Sequence, residues 1–277
     1  MKKLHKATDI PTQLVAFQAG CPHATWEQLR AEGRTAYDQI CKTQEADQSG
    51  LCAYCELAAT KDGSSLQVEH IVAKSFQDPA CNWALHWPNM LAVCTGGSRW
   101  ACDQDRYLEP LPDNLSCDQH KNHLVNTGLL GEDSRGFIVN PLDLPVFPHL
   151  VAVLHDGRLV PQPDACARVE IKPNAYSTTE ELIAKSIEYL NLNCIRLCLA
   201  RLAAAKNVAG ELRKAKAELI CPKFLSLRNG AAGSFFLFIA VGLEKLQKPT
   251  WLLQGLVVRH ENLHHPRPHR QRPHSPA

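Results

Sequence analysis

Half of the twelve cysteines in this 277-residue chain lie in a single stretch, residues 51–126. The stretch is rich in Cys, His, Asn and Trp and is divided into short, turn-bounded pieces, so it can bury little apolar surface. Its cysteines are Cys52, Cys55, Cys81, Cys94, Cys102 and Cys117. A folded unit of this kind needs a further source of stability, which a structural metal ion would provide.

The overall composition is that of a soluble globular protein. Hydrophobic residues make up 45% of the chain and charged residues 21%, and the net charge is +2. Bulk charge therefore does not indicate a nucleic-acid or membrane partner, and any basic surface must be local. No secretory signal is visible, and the longest apolar run, residues 235–243, is shorter than the roughly 20 residues of a membrane span. We predict a cytoplasmic protein with no membrane partner, and in that reducing compartment clustered cysteines are better explained as metal ligands than as disulfides.

Changes in residue pattern divide the chain into four regions. Residues 1–50 are predicted to form an N-terminal helical arm, and residues 51–126 the metal-stabilised core. Residues 127–230 are predicted to contain short strands followed by a helical region. Residues 231–277, rich in Pro, His and Arg towards the end, are predicted to form an atypical and partly disordered tail.

Several local patterns predict individual elements. The segment Thr25–Leu29 is typical of a capped helix start. Residues 137–139 are predicted to form a strand, and the strands on either side of a turn at residues 155–157 are predicted to form a hairpin. A helical pattern runs over residues 178–219. These patterns place helices before and after the cysteine-rich stretch.

Cys52-Ala53-Tyr54-Cys55 is a CxxC motif, which forms half of a tetrahedral zinc site because its turn directs two thiolates to one point. Cys94 and Cys117 are the natural second pair. On its own a CxxC motif is only moderately specific, because a redox pair or two packed core cysteines have the same spacing. The sequence therefore predicts a four-cysteine structural zinc site and leaves core packing and thiol redox chemistry as alternatives.

Glu69 and His70 are adjacent in an alternating stretch that predicts a strand ending near Ala73. A carboxylate is a hard ligand for Mg²⁺ or Mn²⁺, and a neutral imidazole can take a proton from water. Neighbours on a strand point to opposite faces, so both side chains can serve one site only if the strand ends or bulges there. An isolated Glu-His pair is more often structural than catalytic.

Two further positions complete the pattern. Asn89 lies in a turn five residues before Cys94, where its amide can bind backbone groups and hold the strand histidine in place. Cys117 and Asp118, followed by Lys121, are typical of a helix start that provides ligands to two metals and a cation on the next turn. The last of these motifs therefore suits a helix that provides one ligand to each of two metals.

In this order the residues resemble the HNH, or ββα-metal, nuclease superfamily. Its motif runs from CxxC through Asp/Glu-His and Asn to two further cysteines, the second followed by His, Asn or Asp and then by Lys. The similarity is greatest to one branch, the PtuB-like HNH subunits of Septu and retron-associated anti-phage systems, and it covers roughly residues 8–205. The residues that carry it are Leu51–Glu56, Val68–Ile71 with Lys74 and Ser75, Trp87, Asn89, Cys94, Cys117, Asp118, Lys121 and Leu190–Asn193. The resemblance implies an α+β fold with a zinc-stabilised ββα-metal core and surrounding helices.

The resemblance also implies a role for each motif residue. His70 would be the general base that activates water for attack on a phosphodiester. Glu69 and Asp118 would hold one catalytic divalent ion, Mg²⁺ or Mn²⁺, and Asn89 would orient the loop that carries His70. Lys121 would contact a substrate phosphate, with a solvated helix cation as the alternative. A structural zinc ion would be bound by Cys52, Cys55, Cys94 and Cys117.

The sequence departs from the family pattern at the second cysteine pair, because 22 residues separate Cys94 from Cys117 instead of two. The insertion contains a competing copy of the motif, Cys102-Asp103. Either cysteine could complete the zinc site, and either aspartate could reach the catalytic metal. We favour the later pair, because Lys121 restores the basic residue of the family motif.

Three hypotheses of function follow. The first is a metal-dependent HNH endonuclease that acts in anti-phage defence with an ATPase partner, on DNA or on RNA such as tRNA. The second is a non-catalytic zinc module that binds nucleic acid or a protein, which has no need of Glu69 and His70. The third is a thiol-redox protein that uses Cys52 and Cys55, which leaves the other motifs unexplained. The order and spacing of the motifs favour the nuclease.

Overall fold

A computed structural model of the protein describes residues 1–58, 66–98 and 112–219, with side chains up to residue 210. In these ranges the protein combines seven helices with two small antiparallel sheets. The helices are α1 (Thr12–Gly20), α2 (Trp26–Glu32), α3 (Arg34–Asp47), α4 (Cys117–Asn126), α5 (Pro163–Cys166), α6 (Thr179–Tyr189) and α7 (Ile195–Leu219). The strands are β1 (Gln67–His70), β2 (Met90–Val93), β3 (Val151–Val153) and β4 (Leu159–Pro161), and a 3₁₀ turn spans Trp87–Asn89.

The three N-terminal helices share a small core with the segment that leads into β2. α2 begins at the predicted cap, where Thr25 and Gln28 exchange side-chain to backbone hydrogen bonds in a capping box. The buried side chains of this core are Leu14, Ala24, Trp26, Leu29, Ala36, Ile40, Ala84, Leu85, Trp87 and Met90. Because the last four belong to the cysteine-rich stretch, the helices before it are packed directly on it.

β1, β2 and α4 converge on the predicted site. β1 pairs with β2 in antiparallel register, with Glu69 opposite Leu91. β2 is buried along its whole length, as expected of a strand covered on both faces. α4 begins at Cys117, and Lys121 on its first turns reaches back to Glu69 on β1. β1 and α4 therefore carry Glu69, His70, Cys117, Asp118 and Lys121, and the predicted site residues Asn89 and Cys94 lie directly before and after β2.

The C-terminal half contains the predicted hairpin but lacks the other predicted strand. β3 and β4 pair antiparallel across the predicted turn. The strand predicted at residues 137–139 is wrong, because Ile138 makes only an isolated bridge. The Val139 amide donates to the Ser186 hydroxyl on α6 at 2.8 Å, so it is not available to a neighbouring strand. A helix therefore takes the hydrogen bond that a sheet would have used.

The helix predicted over residues 178–219 is interrupted at residues 190–194, between α6 and α7. Asn191 adopts a φ of 44°, in the left-handed region that often ends a helix. Its side-chain amide donates to the carbonyl oxygens of Asp113 at 2.6 Å and Leu115 at 2.8 Å. The break therefore fastens the C-terminal helices to the residues just before α4.

Some predictions fall outside the described residues, namely the competing pair Cys102-Asp103 and the tail at residues 231–277. Among the described residues one hydrophobic core includes side chains from Leu4 to Leu197, so the N-terminal, central and C-terminal regions share buried surface. No helix in the described ranges combines the length and apolar character needed to cross a bilayer. The positions of the predicted domain boundaries stay predictions.

Candidate metal centre and active site

Four cysteines meet at one point in the interior. Their Sγ atoms all lie within 4.8 Å of one another, with distances of 3.7 Å for Cys55–Cys94, 3.8 Å for Cys94–Cys117 and 3.9 Å for Cys52–Cys117. A tetrahedral zinc ion with Zn–S bonds of about 2.3 Å holds its sulfurs about 3.8 Å apart, whereas the sulfurs of a disulfide are about 2.05 Å apart. The sulfur positions therefore fit a zinc ion bound by four thiolates.

This geometry speaks against the two alternative readings of the cysteines. A redox CxxC pair needs an accessible thiol, but Cys52 and Cys55 are both buried. Chance packing of core cysteines does not explain why four sulfurs from three chain segments stand at tetrahedral spacing. A structural metal site is the reading that accounts for all four side chains.

The first pair is held by a tight turn against the sheet. The Glu56 amide donates to the Cys52 carbonyl oxygen at 3.0 Å, and Glu56 takes the left-handed conformation, with a φ of 61°. The Ala53 amide donates to the Ala92 carbonyl oxygen of β2 at 3.0 Å. These bonds fix the turn on β2 and so fix the position of its two sulfurs.

The second pair is brought together although 22 residues separate its members in the sequence. The described chain approaches the insertion past Gly96 and returns from it at Ser116, whose amide donates to the Gly96 carbonyl oxygen at 2.9 Å. The Cys117 amide then donates to the Leu190 carbonyl oxygen at 2.7 Å, in the break between α6 and α7. The bond between Ser116 and Gly96 brings the two ends of the insertion together. Cys117 therefore lies next to Cys94 in space, as the second cysteine of a CxxC motif would.

Gly96 is expected not to tolerate a side chain. It has a φ of +59°, and a Cβ atom there would lie 2.3 Å from the Ser116 carbonyl oxygen. Gly96→Ala should lower the free energy of unfolding by more than about 4 kcal/mol and reduce bound zinc, because backbone must move. The control Gly128→Ala, with a φ of +74° and open space around it, should lose only about 1–2 kcal/mol. Urea denaturation and zinc content test this, and equal losses in the two variants would contradict it.

Glu69 and Asp118 lie side by side, with their buried carboxyl groups hydrogen-bonded to each other. Burial and the charge of Glu69 raise the pKa of Asp118 well above its usual value. Burial raises the pKa of Glu69, and the Lys121 ammonium beside it lowers that pKa. The net result is a pKa of Glu69 below its usual value. Two carboxyl groups in contact are oxygen donors of the kind that Mg²⁺ and Mn²⁺ prefer, so the donor set fits a hard divalent cation.

Four neighbours of the carboxyl pair were not predicted from the sequence, and one of them is Gln119, whose Nε2 donates to Asp118 Oδ2 at 3.3 Å. Gln67 Nε2 donates to Asp118 Oδ2 at 3.1 Å, Asn122 Nδ2 donates to Asp118 Oδ1 at 2.8 Å, and the Tyr54 hydroxyl donates to Glu69 Oε1 at 3.4 Å. The sequence carried a signal for two of them. Gln67 lies two residues before Glu69 on the same strand face, and Asn122 lies four residues after Asp118 on the same helix face.

Lys121 is buried and paired. Its side chain is 3% exposed, and its ammonium donates to the Glu69 carboxylate and to the carbonyl oxygens of His70 at 2.6 Å and Ile71 at 3.2 Å. The alternative of a solvated helix cation is therefore wrong, because the buried Glu69 carboxylate needs a counter-ion. The predicted contact with a substrate phosphate would require the ammonium to exchange Glu69 for the phosphate.

His70 ends β1, and its ring contacts α2 while the Glu69 carboxylate contacts α4. The ring centroid lies 4.6 Å from that of Trp26 in an edge-on contact. Nε2 lies 3.1 Å from the Ala84 carbonyl oxygen, which can only accept, so Nε2 carries the proton. Burial lowers the pKa of His70 to about 4, so the imidazole is neutral at pH 7 and Nδ1 holds a lone pair.

Asn89 joins the 3₁₀ turn to the segment that follows His70. Its Oδ1 accepts from the Val72 amide at 2.8 Å, and its Nδ2 donates to the carbonyl oxygens of Val72 and Trp83, both at 2.9 Å. On the other side of this segment, the Ser134 hydroxyl donates to the Ile71 carbonyl oxygen at 2.6 Å. This is the geometry that the predicted pinning of the histidine loop requires.

No family model matches the sequence. A relative does: the chain is 35% identical over 206 residues to the "Retron Ec83 putative HNH endonuclease" of Escherichia coli, and the match covers 73% of this chain and 78% of the relative. The protein therefore belongs to the family of retron-associated HNH endonucleases. The predicted resemblance to HNH nucleases of retron systems is thereby confirmed.

Proposed function

We propose that the protein is a metal-dependent endonuclease that hydrolyses phosphodiester bonds as the nuclease effector of an anti-phage defence system. One observation carries the proposal: in a member of the HNH family, Glu69 on β1 and Asp118 on α4 lie side by side, and the next residue of β1, where the strand ends, is a neutral His70. Each of these groups has an identified task in metal-assisted hydrolysis. The fold that we propose is the ββα-metal core, formed by β1, β2 and α4 around the sulfur cluster.

In the proposed mechanism His70 is the general base. The hydrogen bond from Nε2 to the Ala84 carbonyl oxygen leaves Nδ1 to accept a proton from the attacking water. Asn89 positions His70 indirectly, because it binds both backbone groups of Val72. A proton acceptor held in one orientation lowers the entropic cost of reaching the transition state.

Glu69 and Asp118 would hold Mg²⁺ or Mn²⁺, which when bound stabilises negative charge on the phosphate and the leaving oxygen. The four cysteines would hold zinc, which fixes the position of α4 and therefore of Asp118. Lys121 would keep Glu69 ionised and, on exchange of partners, contact the phosphate. One metal is thus proposed to support the frame and the other to take part in catalysis.

Cleavage should depend on a divalent cation and on Asp118. DNA and tRNA substrates incubated with the protein should be cut in Mg²⁺ or Mn²⁺ and left intact in EDTA. Asp118→Asn keeps the shape of the side chain but replaces a carboxyl group that can bind a metal ion with an amide, so it should lose cleavage while keeping zinc. The matched control is Asp164→Asn. Asp164 lies in the first turn of α5, as Asp118 lies in the first turn of α4, but Asp164 is exposed and Asp118 is buried. Equal activity of the two variants would contradict the metal site.

We propose further that the protein acts with an ATPase subunit of the same defence system. Its net charge of +2 provides little long-range attraction for nucleic acid, so a partner is expected to share the binding of the substrate. The protein alone should cut weakly, and adding the co-encoded ATPase should increase the cleavage rate. Equal rates with and without the ATPase would argue against this partnership.

A second candidate function is a non-catalytic zinc module that binds nucleic acid or a protein. The observation that favours it is the burial of His70, which is 6% exposed and lies against Trp26. A module of this kind would bind zinc and nucleic acid but leave DNA and tRNA intact in every metal, with or without the ATPase. The same cleavage assay therefore separates the two functions.

A further inference from the structure

A cavity of about 160 Å³ lies against the segment that Asn89 pins. Ile71, the residue after His70, and Asn89 itself form part of its wall. The side chains that give the cavity its chemical character are Trp83, His86, Arg135, Asn140 and Asp143. The cavity therefore adjoins the residues that position the proposed general base.

One wall of the cavity is planar and aromatic. The Arg135 guanidinium lies over the Trp83 indole at 4.6 Å from its centroid, and the His86 ring meets the same indole edge-on at 5.2 Å. Both stacked groups are held in place: Trp83 Nε1 donates to Asp78 at 3.0 Å, and Arg135 makes several hydrogen bonds to Asp133, the shortest at 2.6 Å. Planar ligands such as nucleobases stack on surfaces of this kind.

The charges around the cavity favour a neutral ligand over a phosphate. The positive charge of Arg135 is compensated by Asp133, and Asp143 adds a carboxylate to the wall. The remaining wall includes the apolar side chains of Ile138 and Ile171. Asn140 and Asp143 offer polar atoms to the edge of a ring. The wall of the cavity provides no uncompensated cation to bind an anion. It does provide a planar surface on which a flat ring can stack and polar groups that can bind the edge of the ring.

The volume fits a single ring. A cavity of about 150 Å³ is enough to take up one benzene molecule, so a six-membered base ring can enter and a purine would extend through the open side. A base inside a duplex would first have to be unstacked and unpaired, at a cost of a few kcal/mol, whereas a base in a single strand is already free to enter. The cavity therefore suits an unpaired base.

We infer that this cavity is a binding subsite for one unpaired nucleobase of the nucleic acid that occupies the neighbouring site. The inference rests on the proposed function, because it assigns the base to a substrate strand that passes His70. A base held there would fix the strand relative to the general base. It would also make the protein select single-stranded segments, loops or ends over regular duplex.

Binding of short labelled oligonucleotides tests the subsite without relying on cleavage. In an Asp118→Asn background, fluorescence anisotropy would measure the affinity for a single-stranded DNA hexamer, the RNA hexamer of the same sequence, and the DNA duplex. Trp83→Leu and Arg135→Gln should each weaken binding of a single strand about tenfold, since base stacking is lost. The control Phe147→Ala removes an aromatic side chain that is 81% exposed and outside the cavity, and it should bind as the parent does.

The arms of the experiment give separate answers. Weaker binding of only the DNA or only the RNA strand supports the subsite and identifies the source of the base. Unchanged affinity for both single strands, or an equal loss for the duplex, overturns the inference. If Trp83→Leu does not fold, the result for Arg135→Gln decides between these outcomes, because the Arg135 side chain is 44% exposed and its replacement should leave the fold intact.

Weaker single-strand binding in a protein that never cuts would support the subsite and reject the proposed nuclease. Cleavage with unchanged binding would reject the subsite alone.

Discussion

Cys117→Ser should abolish zinc binding and unfold the part of the protein that surrounds the sulfur cluster. A structural zinc ion contributes roughly 10–16 kcal/mol in small zinc domains, as much as the whole stability of a typical domain, about 5–15 kcal/mol. A serine oxygen is a poor replacement for a thiolate, and Cys117 also begins α4. We therefore expect loss of both the ion and of the position of Asp118. Metal analysis of the purified protein and circular dichroism would measure the two effects.

The control for this variant is Cys166→Ser. Cys166 is also buried, but its thiol lies 3.6 Å from the Leu150 carbonyl oxygen and outside the cluster. It should keep full zinc content and a nearly unchanged melting temperature. If Cys117→Ser retained zinc and folded as well as Cys166→Ser, the four-cysteine metal site would be rejected. Stripping zinc from the parent protein with a chelator should reproduce the unfolding caused by Cys117→Ser.

His70→Ala should reduce the rate of cleavage by about 10²–10⁴, the range expected when a general base is removed. The reason is local, since Nδ1 of His70 holds the lone pair that the proposed mechanism uses. The zinc content should not change, because His70 is not part of the sulfur cluster. A cleavage time course with Mg²⁺ on DNA and on tRNA, with the ATPase present, would measure the rate.

His155→Ala is the control for the loss of an imidazole, since His155 is exposed in the turn between β3 and β4. It should cut at the parental rate. A His70→Ala protein that binds zinc, melts like the parent and cuts as fast as His155→Ala would remove His70 from the mechanism. If neither the parent nor His155→Ala cuts any substrate under any condition, the non-catalytic zinc module becomes the better description.

Sequence spacing predicts those parts of the fold and of the site in which the interacting residues are close along the chain. The capping box at Thr25 and the β3–β4 hairpin follow from a few neighbouring residues, and both are present. The CxxC turn belongs to the same class, since its two sulfurs are set by one turn. Local propensity and turn chemistry are sufficient in such cases because no distant contact competes with them.

Contacts across long sequence separations could not be predicted. Val139 was expected in a strand but binds Ser186 on α6, and the long C-terminal helix is broken because Asn191 binds backbone near residue 113. Lys121 illustrates the same limit for a charged group. A lysine on a helix is normally solvated, and only the tertiary structure shows that the Glu69 carboxylate is beside it.

The contact between His70 and Trp26 was also beyond the reach of pattern analysis. Alternation along β1 predicts that Glu69 and His70 point to opposite faces, and the structure agrees, but nothing in the sequence assigns α2 to one of those faces. Among the residues that line the cavity, the sequence motifs predict a role only for Asn89. The aromatic and charged residues of its wall could not be predicted, because they come from segments that are far apart in the chain.

The bond from the Cys117 amide to the Leu190 carbonyl oxygen has a consequence for biosynthesis. A polypeptide is synthesised from its N-terminus, so all four cysteine ligands, including Cys117 at the start of α4, are made before Leu190. Full anchoring of the fourth ligand must wait until the second half of the molecule has been translated. We expect truncated translation products to lack the assembled metal centre, so unfinished copies of the proposed nuclease would not cut nucleic acid.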